Sequence, residues 1–351
     1  MGKPTILDVA RAAGVALGTA SNVINGKKSV NAVMRAKVER AIAELGYSPD
    51  AIAQSMRLRS TQAIGVIIDD INIAPFANFV RAAQDMLHNA GYVLILSGSQ
   101  GNPEREIELL EALARRRVDG IIMTTVSERD ERLLRAHAAA QVPIVFLDRK
   151  TAVPADAVMV DHRGSAVRAV EHLAGLGHQR IALITGDRGV RPARERIAGY
   201  TQAHQRLKLA LLPHLIRSGG FSSEFGYEQA RALLAEPEAP TAIVAGGVSM
   251  LPGVLRAVRE AGLVVGQDVS VIGGADTELS RLVTPAVTVV TIDYAAMGQA
   301  AAELLLSRLA SKETLAPRQA KIPTGFVERD SCMPPPKPVR AAAARKRTAK
   351  G

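Results

Sequence analysis

Residues 5–26 read Thr5-Ile6-Leu7-Asp8-Val9-Ala10-Arg11-Ala12-Ala13-Gly14-Val15-Ala16-Leu17-Gly18-Thr19-Ala20-Ser21-Asn22-Val23-Ile24-Asn25-Gly26. Thr5 and Asp8 have the spacing of a capping box, in which the hydroxyl accepts a backbone N–H while the acid reaches back. The helix so started runs to about Ala13, and Gly14 breaks it. A second helix covers about Leu17–Ile24 and stops at Asn25-Gly26, a pair suited to the left-handed conformation. A third spans about Asn31 to Leu45 and ends at Gly46. Its Val38, Ala41, Ile42 and Leu45 fall at i, i+3, i+4 and i+7, which predicts one buried face. Two short helices about a tight glycine turn, inside a basic unit, are the pattern of a helix-turn-helix. Residues 1–47 are therefore expected to form a DNA-binding domain.

Charge supports that reading. The chain of 351 residues carries +10 overall, with +5 in residues 1–60, +6 in 331–351 and −1 in between. A near-neutral body with basic ends points to a polyanion contacted by the ends. Basic termini kept only for solubility are the alternative. Residues 48–60 form a short basic linker with one weak helical stretch, too short to hold a helix alone in water. This hinge is expected to fold only when docked.

From residue 61 the pattern changes to short apolar runs alternating with helical stretches. The runs are Ala63–Ile68, Tyr92–Leu96, Val118–Met123, Pro143–Leu147, Ile181–Ile184, Ala242–Ala245 and Val269–Ile272. Between them lie helices such as 104–117, 164–176, 194–207 and 249–261. Buried parallel strands separated by crossover helices make open α/β sheets. Some 270 residues suit two lobes, with a ligand cleft at the carboxyl ends of the strands. The fold class is α/β: a three-helix head, a hinge and a two-lobed core at 61–330. The proline- and alanine-rich stretch 331–351 is expected to be a disordered basic tail.

Several classes are excluded. Composition is globular, at 47% hydrophobic and 22% charged residues. No uncharged apolar run of about 18 residues occurs, so no membrane helix is expected. The start of the chain lacks the apolar core of a secretory signal, so the protein is expected to be cytoplasmic. One cysteine, Cys332, cannot make an internal disulfide or a cysteine-rich metal site. No phosphate-loop, dinucleotide, nucleophile-elbow or zinc-protease motif is present, and Gly98-Ser99-Gln100-Gly101 reads as a turn. The histidines are scattered, and His172 and His178 are read as surface or capping residues. No catalytic residue, metal or cofactor is expected.

The chain resembles the LacI/GalR family of bacterial transcription regulators. The head motifs are Ile6-x-Asp8-Val9-Ala10, Gly14-Val15, Thr19-x-Ser21, Val23-Ile24-Asn25-Gly26 and Leu45-Gly46-Tyr47-x-Pro49. In the core they are Ile64-Gly65-Val66, Arg117-Val118-Asp119-Gly120, Leu176-Gly177-His178, Arg196-x-x-Gly199-Tyr200 and Asp268-Val269-Ser270-Val271-Ile272-Gly273. Together they cover about residues 4–330. The resemblance implies a homodimeric repressor on a palindromic operator in double-stranded DNA, controlled by a small metabolite bound between periplasmic-binding-protein-like lobes. It further implies chain crossings near 161, 290 and 322, giving an N-lobe of about 61–161 plus 291–321. The C-lobe is then about 162–290 plus 322–330.

The recognition helix would read bases through Leu17, Gly18 and Asn22, with Asn22 suited to adenine. Thr5, Thr19, Ser21 and Asn25 are placed for phosphates, together with Lys3 and Lys27. Met56, where a hinge leucine is usual, would wedge into the minor groove. The effector cleft, carried over position by position, takes Phe76, Asp148, Arg196 and Phe221, and more weakly Asp276. Arg196 offers a planar fork of donors, Asp148 an acceptor for hydroxyls, and the phenyl rings flat faces. Members of the family usually carry Asn-Asp where this chain has Gly247-Val248, an acid where it has Ala275, and Ser or Thr where it has Ala16. These departures favour a smaller or acidic metabolite, such as a sugar acid, over a neutral polyol. The tail contains no Leu or Ile, so a C-terminal leucine-heptad tetramer is excluded. A solute-binding transport or sensory protein, or an α/β enzyme with a DNA-binding head, are the competing readings.

Overall fold

The computed structural model describes residues 4–24, 30–47, 60–311, 313 and 315–336. Asn25, Met56, nearly all of the hinge and the tail beyond 336 lie outside the described residues. The chain divides into two compact units, one ending at Gln62 and the other beginning at Ala63.

The first unit holds α1 (Ile6–Ala13), α2 (Leu17–Ile24) and α3 (Ala32–Leu45). Thr5 caps α1 in the capping box with Asp8, and Gly14 closes the helix at φ +63°, a conformation that costs a side chain dearly. Asn31 caps α3 through the Met34 N–H. A small core of Val9, Ala10, Ala13, Ala20, Val23, Val38 and Ala41 joins the three helices, with Ile42 and Tyr47 packed against it. Ala residues at the contacts let short helices approach closely, which a core of this size requires.

The second unit runs β1 (Ala63–Ile68), α4 (Ala74–Asn89), β2 (Val93–Gly98), α5 (Pro103–Arg115), β3 (Gly120–Met123), α6 (Glu131–Ala139), β4 (Ile144–Leu147) and β5 (Asp156–Val160). It continues through α7 (His162–Gly175), β6 (Ile181–Gly186), α8 (Arg191–Leu207), β7 (Ile216–Gly219), α9 (Ser223–Leu234), β8 (Ala242–Ala245), α10 (Leu251–Glu260) and β9 (Ser270–Gly273). Last come α11 (Glu278–Leu282), β10 (Thr288–Ile292), α12 (Tyr294–Ala310), β11 (Gln319–Ile322) and β12 (Thr324–Val327). Two six-stranded sheets result, ordered β11-β5-β4-β3-β1-β2 and β12-β10-β9-β8-β6-β7. All pairings are parallel except β10 with β12. The central strands are buried on both faces, which is why they read as unbroken apolar runs.

The sheets define two lobes that share the chain. The chain leaves the first sheet at Asp161, between β5 and α7, and returns at Asp293, between β10 and α12. There Tyr294, Met297, Ala301, Ala302 and Leu305 of α12 enter the core of the first lobe. A last crossing at Pro323 separates β11 from β12. We call the first lobe the N-lobe and the second the C-lobe.

Five strands had no counterpart among the apolar runs: β5, β7, β10, β11 and β12. β5 opens on Asp156, a fully buried acid held by Arg308 at 2.7 Å and by the Arg318 N–H at 2.6 Å. β7, β11 and β12 are edge strands, half exposed and therefore mixed in polarity. The expected disordered tail also needs correction at its start. Ser331 is fully buried and Cys332 nearly so. The Ser331 hydroxyl donates to the Val271 carbonyl at 2.6 Å and accepts the Thr288 N–H at 2.8 Å. His178 is likewise not a surface residue: it is buried, with one ring nitrogen 2.8 Å from Thr241 Oγ1 and the other 2.9 Å from the Met333 carbonyl. Residues 331–333 thus belong to the C-lobe.

Candidate functional site

In the head, α2 turns Ala20 and Val23 into the core and leaves Leu17 and Gly18 exposed, with Thr19, Ser21 and Asn22 half-buried. Leu17, 48% exposed, is not a core residue. A Cβ on Gly18 would meet nothing within 4 Å, so the head itself does not demand glycine there. Thr5 is committed to its cap: its hydroxyl lies 2.7 Å from Asp8 Oδ2, and its N–H donates to the same carboxylate at 2.9 Å. Ala16 supplies no capping side chain, and its carbonyl accepts the Thr19 and Ala20 N–H groups.

In the second unit the strand ends of both lobes meet at a cleft. An inner cavity of about 110 Å³ is lined by Phe76, Asp148, Arg196 and Phe221, four of the five residues expected there. Asp69, Thr124, Arg149, His162, Tyr294, Gly247 and Val248 are among the other residues of its wall. The Phe76 ring packs tilted against Tyr294, with centroids 5.5 Å apart. The Phe221 ring lies over the ends of β6 and β8: a Cβ on Gly186 would come within 2.0 Å of it, and one on Gly247 within 3.0 Å. A side chain at 247 would press on the ring, and Gly247 and Val248 add no polar side chain to the C-lobe wall, whose polar residues are His162, Arg196 and Ser249. Ala275 is buried and lines neither cavity.

Asp148 differs from expectation. It sits at φ +54°, in the left-handed region, just after β4. Its carboxylate already accepts from His162 Nε2, from Arg191 Nη1 at 2.6 Å and from the Val160 N–H at 3.2 Å. Burial would raise its pKa, but His162, Arg191 and Arg149 outweigh that and hold it at about 2. Burial lowers the pKa of His162, helped by Arg196 and opposed by Asp148. With three of roughly four acceptor positions filled, Asp148 has little left for a ligand hydroxyl.

The unused hydrogen-bonding capacity lies elsewhere. Arg196 is buried, its Nη1 has no partner, and burial draws its pKa down to about 10 despite Asp148, so it stays charged at neutral pH. Asp69 Oδ1 and Thr124 Oγ1, on the N-lobe wall, are also buried without a partner. Burial raises the pKa of Asp69, with the Gly101 N–H opposing. Asp69 and Thr124 were not singled out from the sequence. Each directly follows a strand, at the carboxyl end where ligands of open α/β sheets bind.

Asp276 is set apart from this group. It lines only the outer cleft, about 1540 Å³, which shares Asp69, Phe221, Val248 and Tyr294 with the inner cavity. Arg281 at 2.8 Å, then Arg329 at 2.8 Å and Ser280, hold its pKa at about 2 against burial. Among the described residues no cluster of His, Cys, Asp and Glu could hold a metal ion, and no helix is long and apolar enough to cross a membrane.

A helical head of this form joined in one chain to a two-lobed α/β core with an interlobe cavity defines a ligand-responsive DNA-binding protein. Residues 5–50 match the model of the bacterial regulatory proteins, lacI family, and residues 170–332 that of the periplasmic binding protein-like domain. The chain is 33% identical over 330 residues to the ribose operon repressor of Escherichia coli (strain K12), covering 93% of this chain and 99% of that one. It is 33% identical over 310 residues to the HTH-type transcriptional repressor PurR of Haemophilus influenzae (strain PittEE), covering 88% and 92%. Among solved structures, the Lac repressor dimer bound to operator and the anti-inducer ONPF superposes with a TM-score of 0.83 at 31% identity, over 95% of this chain and all of that one. The CelR–cellobiose complex gives 0.69 at 30% identity, over 93% and 99%. The chain belongs to the LacI family of bacterial regulatory proteins. It is a DNA-binding transcriptional repressor under effector control, not an enzyme.

Proposed function

We propose that the inner cavity is the effector site and that Arg196 anchors an acidic or strongly hydrogen-bonding metabolite, a sugar or sugar acid. The observation that carries this is that Arg196, Asp69 and Thr124, each with a buried polar atom lacking a partner (Nη1, Oδ1 and Oγ1), line one cavity. Each unpaired group costs about 1–3 kcal/mol, and a ligand presenting an acceptor to Arg196 and donors to Asp69 and Thr124 recovers that cost. Phe76, Phe221 and Tyr294 supply ring faces, and Asp276 acts at the outer mouth. In the head, Leu17, Gly18 and Asn22 read base edges, and Thr19, Ser21 and Asn25 contact phosphates; Thr5 contributes through its N-cap position. Met56 and the hinge dock in the minor groove. The protein works as a cytoplasmic homodimer on a palindromic operator in double-stranded DNA.

Calorimetry on a panel of sugars and sugar acids tests the site. A sugar acid should bind, and Arg196→Ala should weaken it at least tenfold. Tight binding of a neutral hexose that Arg196→Ala leaves unchanged would refute the assignment.

A further inference from the structure

Around Glu128, which lines neither cavity, a further set of contacts joins the lobes. Glu128 lies in the N-lobe loop between β3 and α6, with its side chain 2% exposed. Its Oε1 accepts the Lys150 N–H of its own lobe at 3.1 Å and the Arg191 N–H of the C-lobe at 2.8 Å. Its Oε2 accepts from Arg194 Nη2, also in the C-lobe. Arg191 and Arg194 form the first turn of α8. The N-cap of that helix is Val190, which has no capping side chain. A helix start leaves backbone N–H groups without intrahelical partners and favours a nearby negative charge. Here the missing acceptor comes from the opposite lobe. Arg191 adds a second tie, donating from Nη1 to Asp148 at 2.6 Å.

We propose that Glu128 is an interlobe latch: it caps α8 in trans across the cleft and holds the lobes in the arrangement of this structure. Opening the cleft at this point strips α8 of its cap and leaves a buried carboxylate without its cationic partner, a costly separation. Arg196 lies on the same helix, one and a half turns on, so the latch also holds in place the helix that brings Arg196 to the cavity lined by Asp69 and Thr124. A switch between lobe arrangements needs a contact made in only one of them, and a carboxylate held by groups of both lobes is suited to that part. The inference does not depend on what the cavity binds.

Energy transfer between the lobes tests it without any ligand. Glu108 on α5 and Gln205 on α8 are exposed positions on opposite lobes, and the native Cys332 is buried. Labels at Glu108→Cys and Gln205→Cys, in full-length chains diluted into excess unlabelled protein, report one subunit at a time. The parent should give one narrow transfer distribution. Glu128→Ala should increase the low-transfer, open population at least tenfold. Arg194→Ala should act in the same direction, and adding it to Glu128→Ala should change little more. Should Glu128→Ala fail to fold, Glu128→Gln and the half-exposed Arg194→Ala decide on the same readout. Transfer unchanged from the parent in the folded variants would overturn the latch.

Discussion

Cutting the chain after Asp330 and cutting it after Pro336 should have opposite consequences. The two truncations differ by six residues, Ser331 to Pro336, and both remove the basic end. The shorter product loses the Ser331 hydroxyl bond to Val271 (2.6 Å), the Thr288 N–H bond to Ser331 (2.8 Å) and the Val271 N–H bond to the Ser331 carbonyl (3.1 Å). It also loses the Met333 N–H bond to Ser270 (3.1 Å) and the His178 bond to the Met333 carbonyl (2.9 Å). At about 1 kcal/mol net for each of these five bonds, and about 1 kcal/mol more for uncovering the surface under Cys332, the loss is roughly 6 kcal/mol. Stabilities of folded domains are only about 5–15 kcal/mol, so the C-lobe should be unfolded or barely folded. The cut after Pro336 should cost nothing measurable, and Ser331→Ala, which strands two backbone groups, should cost about 2 kcal/mol. The chain has no tryptophan, so urea unfolding is best followed by circular dichroism. Equal midpoints for the two truncations would refute the reasoning.

Three further outcomes are expected. Asp276 is held at about 2, below its ordinary value, chiefly by Arg281, so it stabilises the fold above its ordinary pKa and that contribution fades as pH falls towards 2. Asp276→Asn should therefore be less stable than the parent at neutral pH, with the gap closing by pH 2 in acid-unfolding curves; a constant gap contradicts this. Asn22→Ala should weaken operator binding by about 1–3 kcal/mol while leaving non-specific DNA binding unchanged in salt-matched titrations. Gly186→Ala places a Cβ within 2.0 Å of the Phe221 ring, so it should destabilise the C-lobe by about 1–3 kcal/mol and abolish calorimetric ligand binding while DNA binding persists.

How far the sequence could be read depended on burial. The head was legible because its signals are local: the Thr5–Asp8 box, Gly14 and Gly46 each act within a few residues. The central strands β1, β3, β4, β6, β8 and β9 were legible because burial on both faces makes them mostly apolar, whereas the interior strands β5 and β10 carry Asp156 or threonines and were not. The edge strands β7, β11 and β12 were not, since they are only four residues long, partly exposed and mixed in polarity. In the cleft, Phe76, Arg196 and Phe221 could be placed by resemblance, but the occupation of Asp148 could not. It depends on Arg191 and His162, which meet Asp148 only through the folding of two lobes. Asp69 and Thr124 had a usable signal, their position immediately after an apolar run, which is where each strand delivers a side chain to the cleft. Ser331 had none: a serine beside a proline run looks solvated until Val271 and Thr288 are seen to hold it.

The central claim is that ligand in the inner cavity controls the head. The direct measurement is fluorescence anisotropy of operator DNA titrated with the full-length chain, with and without the tightest binder from the sugar and sugar-acid panel. The parent should change its operator affinity at least tenfold on adding the ligand, and Arg196→Ala should bind the same DNA equally well with or without it. A ligand that occupies the cavity by calorimetry yet leaves the operator affinity of the parent unchanged would contradict the account.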